Sequence, residues 1–166
     1  TGATLVGVIS PDVVTVSGGG TFASANVGTG ISVTANLTLT GADSGNYTVT
    51  QPTGLNANIT AIAPTINTTA IGITTGGTYT LPGSITSNSA GAFSYSLGSV
   101  SPAGSVTLTG TTLNGISPGT AILTVTQAAN GNYTAGSTTV TVNVTTCSPP
   151  LWEENFDYGG CDVEDI

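Results

Sequence analysis

Between Ile31 and Leu39 apolar and polar residues alternate without a break. Ile31, Val33, Ala35, Leu37 and Leu39 fall on one side, Ser32, Thr34, Asn36 and Thr38 on the other. A period of two marks an antiparallel strand with one face covered and one in water. Shorter runs of the same kind flank it. Thr4 to Ile9 and Val13 to Val16 precede it, the second closed by Gly18-Gly19-Gly20; Tyr47 to Thr50 and Asn56 to Ile62 follow it. Beyond Pro64, strands are expected in Thr65 to Ile73, Thr78 to Leu81, Ala92 to Leu97, Val106 to Leu108, Thr112-Leu113, Ala121 to Val125 and Thr138 to Val144, with Gly, Asn and Pro between them. No window combines helical spacing with caps.

One stretch occurs twice, Gly45-Asn46-Tyr47-Thr48 and Gly131-Asn132-Tyr133-Thr134, each after a Thr-rich alternating run and before a last strand. Gly-Asn turns arise by chance in so Gly- and Asn-rich a chain, but the shared context favours an internal repeat, and repeats mean arrays. Tyr47 and Tyr133 are then equivalent structural corners, expected to be largely buried, with the phenol reaching backbone. Ile62-Ala63-Pro64 is the linker. The chain divides accordingly into 1–62, 63–146 and a tail, 147–166. Short strands at regular spacing, closed by turns, predict an all-β chain of two tandem immunoglobulin-like antiparallel β-sandwich domains with a short acidic C-terminal segment.

Residues 1–61 carry a resemblance, in Leu5-Val6-Gly7-Val8, Phe22-Ala23, Asn26-Val27-Gly28-Thr29-Gly30, Leu39 through Tyr47 and Gln51-Pro52-Thr53-Gly54-Leu55. Together these resemble the YDG repeat, which implies an all-β module of large bacterial surface and secreted proteins. The Tyr-Asp-Gly motif itself would lie upstream of Thr1, so this copy is expected to lack its first strand. The second half is similar to the bacterial immunoglobulin-like repeats that accompany YDG modules, through Gly119-Thr120-Ala121 and Asn130-Gly131-Asn132-Tyr133. Both likenesses imply an extracellular or bacterial cell-surface location.

Composition narrows the chemistry. Lys, Arg and His are absent and the net charge is −8. Nothing here neutralises phosphate, so nucleic acid is an implausible partner, as is an anionic membrane surface, and no apolar run is long enough for membrane insertion. Without His or Lys there is no ordinary nucleophile pair. Before residue 153 the only acids are Asp12 and Asp43. Asp43, in Gly41-Ala42-Asp43-Ser44-Gly45, reads as a turn residue capping local backbone rather than a catalytic acid. The chain is not expected to be an enzyme or to carry a cofactor.

The tail holds both cysteines and six of the eight carboxylates. Cys147 and Cys161 are a candidate disulfide, which suits a secreted protein. Glu153, Glu154, Asp157 and Asp162 are weak calcium candidates, against the ordinary reading of a solvated acidic end. Tyr79, Phe93 and Tyr95 form either a platform for surface glycans or part of a sandwich core.

Two functional readings follow. The chain is a passive spacer of a surface adhesin, next to further domains of a longer chain. Or it is a filament subunit that joins neighbouring copies of itself by donating a strand. A carbohydrate-binding module of a secreted multidomain protein is the alternative.

Overall fold

The computed structural model describes residues 4–146. The chain splits into two compact units, one ending at Ala61 and one beginning at Ile62. All regular structure is strand apart from a single 3₁₀ turn, Ser44–Asn46, and no α-helix occurs among the described residues.

The first unit is one sheet of three strands, β1 (Thr15–Phe22), β2 (Gly28–Thr40) and β3 (Asn56–Ile59), in that spatial order and antiparallel throughout. The alternation of residues 31–39 is realised as expected: Ile31, Val33, Ala35, Leu37 and Leu39 are the more covered positions of β2. The register sets Val16 opposite Leu39, Gly18 opposite Leu37, Gly20 opposite Ala35 and Phe22 opposite Val33, which makes one apolar face. The other face is polar, with the Thr15 and Thr40 hydroxyls 2.7 Å apart and those of Ser17 and Thr38 at 3.0 Å. Such cross-strand pairs stabilise a sheet by a few tenths of a kcal/mol, up to about 1.

Three expectations for this unit fail. Thr4 to Ile9 and Tyr47 to Thr50 form no strand. The run 18–20 does not end β1 but lies within it. The reason is a close approach. A Cβ on Gly18, whose φ is +121°, would stand 2.0 Å from the Asn36 carbonyl oxygen, so only glycine allows the strands to pair there.

The second unit is built in layers. One sheet runs in the order β5 (Ile71–Thr74), β12 (Gly136–Thr145), β11 (Gly119–Gln127), β8 (Phe93–Ser101), with β5 parallel to β12. The other is β6 (Thr78–Thr80), β10 (Thr112–Gly115), β9 (Val106–Thr109); β4 (Ile66–Asn67) and β7 (Thr86–Ser87) form a short pair. Alternate residues from both larger sheets meet in one core: Ile71, Ile73, Ala121, Leu123, Val125, Val140, Val142 and Val144 from the first, Val106 and Leu113 from the second. Asn114-Gly115, expected as a turn, belongs to β10.

Two polar side chains lie inside this unit. The Gln127 carboxamide accepts from the Ser87 hydroxyl at 2.6 Å and donates to the Ser89 and Gly91 carbonyls, both at 2.9 Å, holding the segment after β7 against the end of β11. The Ser105 hydroxyl is fully buried and has no hydrogen-bond partner among the described residues.

Opposite outcomes are expected for these two. Gln127→Leu keeps the volume but strands three polar groups, and should destabilise the second unit by about 3 kcal/mol in urea unfolding. Ser105→Ala removes an unpaired hydroxyl and should be neutral or stabilising by up to about 1 kcal/mol. A Gln127→Leu loss below about 1 kcal/mol would show the network to be incidental.

Candidate functional site

The first unit's acids and its tyrosine converge on one clasp. The turn after β2 begins at Gly41, where φ is +117° and a Cβ would meet the Val13 carbonyl oxygen at 2.3 Å. That approach brings Asp43 against the leading segment: the Val13 N–H donates to Asp43 Oδ2 at 2.8 Å, and the Asp43 N–H returns a bond to the Val13 carbonyl at 3.3 Å. Asp43 therefore accepts backbone as expected, but its partner is far away in sequence rather than in its own turn. The 3₁₀ turn then carries the chain to Tyr47.

The Tyr47 hydroxyl donates to Asp12 Oδ2 at 2.8 Å and accepts from the Ile9 N–H at 3.1 Å. The Ile9 N–H favours the phenolate. The hydrogen bond to Asp12, partial burial and the charges of Asp12 and Asp43 outweigh it, and the phenol is raised above its ordinary value. Both carboxylates act here as acceptors for neutral donors that hold the leading segment.

Tyr133 is not the equivalent of Tyr47, and neither is largely buried; both are half-covered. Tyr133 is held through its backbone, bridged to Asn130 and Ile62. What the two turns share is their target. The Ile62 N–H donates to the Asn132 carbonyl at 3.1 Å and the Thr134 N–H to the Ile62 carbonyl at 2.8 Å. Each Gly-Asn-Tyr turn thus ties down the leading segment of its own unit, at Ile9 in the first and Ile62 in the second. In each unit the strands before and after that turn pair antiparallel.

The second feature was missed in the sequence. Val16, Gly18, Gly20, Val33, Ala35, Leu37, Pro52 and Leu55 line an apolar groove of about 570 Å³ on the first unit's sheet. Of that unit's described hydrophobic residues only Ala35 is buried. Gln51 closes part of one edge: its carboxamide accepts from the Leu37 N–H at 2.9 Å and donates to the Leu37 carbonyl at 2.7 Å, as a partner peptide would. The glycine run suggested a turn and so hid the groove floor.

Phe93 and Tyr95 stand with ring centroids 6.3 Å apart and, with Tyr79, pack against the second unit's core. Burial raises the Tyr95 phenol. No group of three His, Cys, Asp or Glu side chains suited to a metal occurs among the described residues. No helix among them is long and apolar enough to cross a membrane. Cys147, Cys161, Glu153, Glu154, Asp157 and Asp162 lie outside the described residues.

Among known families, the YDG domain matches residues 1–54 of the chain. No curated protein and no solved structure matches it.

The clasp has a pH signature. A phenol raised in the fold contributes stability that is complete below its unfolded value of about 10 and is lost as pH rises through the folded value. The difference in melting temperature between the wild type and Tyr47→Phe should therefore be full at neutral pH and shrink above about pH 10. A difference constant across that range would show that the hydroxyl does not secure the fold.

Proposed function

We propose that this chain is a non-catalytic, extracellular structural module, a segment or subunit of a bacterial surface adhesin or filament, whose second unit is an immunoglobulin-like sandwich. One observation carries the reading: in both units the leading segment is hydrogen-bonded to the Gly-Asn-Tyr turn that precedes the unit's last pairing strand. A pull on the leading segment meets these ties before it can peel the strands, which is the property a spacer needs.

The chemistry supports the same reading. Asp12 and Asp43 are both taken up by the clasp, and no cationic side chain exists to partner a nucleophile. The two-sheet core of the second unit, with its sequence likeness to bacterial immunoglobulin-like repeats, supports the sandwich assignment for that half. The YDG match supports the resemblance of the first half from which the surface setting is inferred. The packing of Tyr79, Phe93 and Tyr95 against the core weakens the alternative of a carbohydrate-binding platform.

Pulled between handles at its two ends, the chain should unfold in two separable steps, and Tyr47→Phe should lower the force of one step and leave the other unchanged. Unfolding at one indistinct low force in both proteins would refute a load-bearing role. A saturable response to soluble polysaccharide, lost on Tyr95→Ala, would instead establish the carbohydrate-binding alternative.

A further inference from the structure

Among the described residues, the first unit has an apolar face without a second layer and an extended apolar arm without a strand partner. The face is the groove over β1 and β2, floored by Gly18, Gly20 and Ala35. The arm is Thr4 to Ile9, which pairs in no sheet and leaves Leu5 36%, Val6 95% and Ile9 71% exposed. Exposed apolar surface on both a sheet and a separate extended segment is the combination that β-strand addition resolves.

We propose that the arm Thr4–Ile9 of a second copy of this chain adds along the outer edge of β1, so that its groove-side residues extend the apolar face beside Val16, Gly18 and Gly20. This rests on the structural-module reading and names its partner and contact.

The edges select β1. On the other side of β2, β3 pairs with its first half, and Gln51 occupies Leu37 in its second half. β1 is an edge strand with no partner on its outer side among the described residues. Three successive glycines there leave no side chains to obstruct a neighbour. The lengths suit each other, since six extended residues span ~20 Å and the eight of β1 ~26 Å.

Charge permits a second copy at these surfaces. A chain of net charge −8 associates with itself only through surfaces free of carboxylates. Neither the groove lining nor the arm carries one, and the unit's two acids are engaged in the clasp. The clasp also fixes the arm's base, because Ile9 is bonded to Tyr47. One short donated strand buries less than the ~1,200 Å² of a standard stable interface, so each contact is weak and self-association shows at high protein concentration.

The test uses the full chain in sedimentation equilibrium over a wide concentration range. Wild type should show a mass that rises with concentration. Adjacent residues of a strand point to opposite faces, so the double variant Leu5→Asp, Val6→Asp places a carboxylate on the apolar side of the extended sheet in either register. It should weaken association at least about tenfold while both units melt as in the wild type. In a background with Cys147→Ser and Cys161→Ser, chains carrying Val6→Cys mixed with chains carrying Val16→Cys should cross-link to each other. A wild type that stays monomeric, association that ignores the double variant, or a cross-link that forms only within one chain carrying both cysteines would each overturn the proposal. None of these would touch the module reading, which stands or falls on the pulling measurement.

Discussion

A sheet that is apolar on one face is stable only when something covers that face. The two units meet this requirement unequally. In the second, inward residues of two sheets converge, and Leu113, Leu123, Val125 and Val142 lose all contact with solvent. In the first, a strand of equal regularity leaves only Ala35 buried. The difference lies in the number of strands available, not in the quality of the alternation. A three-stranded sheet whose apolar face stays uncovered gains little burial to set against the entropy of ordering its chain.

What secures the first unit in the meantime is polar. With no cationic side chain in the chain, ion pairs between side chains are impossible, and Asp12 and Asp43 serve as acceptors for phenol O–H and backbone N–H. Carboxamides take the place of missing peptide partners: Gln51 at Leu37 on the edge of β2, and Gln127 at Ser89 and Gly91 in the second unit. Each such bond contributes about 1 kcal/mol net. In the second unit they add to a hydrophobic core. In the first they stand almost alone, and the clasp becomes the main tie between the leading segment and the sheet.

The strand content was legible because alternation reports one covered face, and residues 31–39, 121–125 and 138–144 behave as read. The exceptions have physical causes. Gly18-Gly19-Gly20 carries the composition of a turn, yet the close contact with Asn36 makes glycine a requirement of pairing, which no local rule reveals. Thr4 to Ile9 has strand composition but finds no edge among the described residues, and composition cannot supply a partner. Asp43 was legible as an acceptor, but its donor Val13 is brought in by the fold of Gly41. The clasp was half visible in the Gly-Asn-Tyr repeat, which located the corner without showing what it holds. The groove was invisible, because it is made by glycines and by a layer that is missing.

The repeated turn is conserved in its task within this chain rather than in its atoms. In the first unit the phenol of Tyr47 reaches Ile9 because Asp12 lies beside it to accept the hydroxyl proton. In the second, Ile62 runs parallel to Tyr133 and bonds to its neighbours' backbone, so the phenol is not needed. A side-chain tie depends on the protonation of one hydroxyl, whereas a pair of backbone bonds does not. The first tie is therefore sensitive to alkaline pH and to a single substitution, and the second is not. Since the first unit also lacks a covered core, sensitivity and exposure coincide there: the leading arm that the clasp positions belongs to the unit with the greatest apolar surface still to be covered.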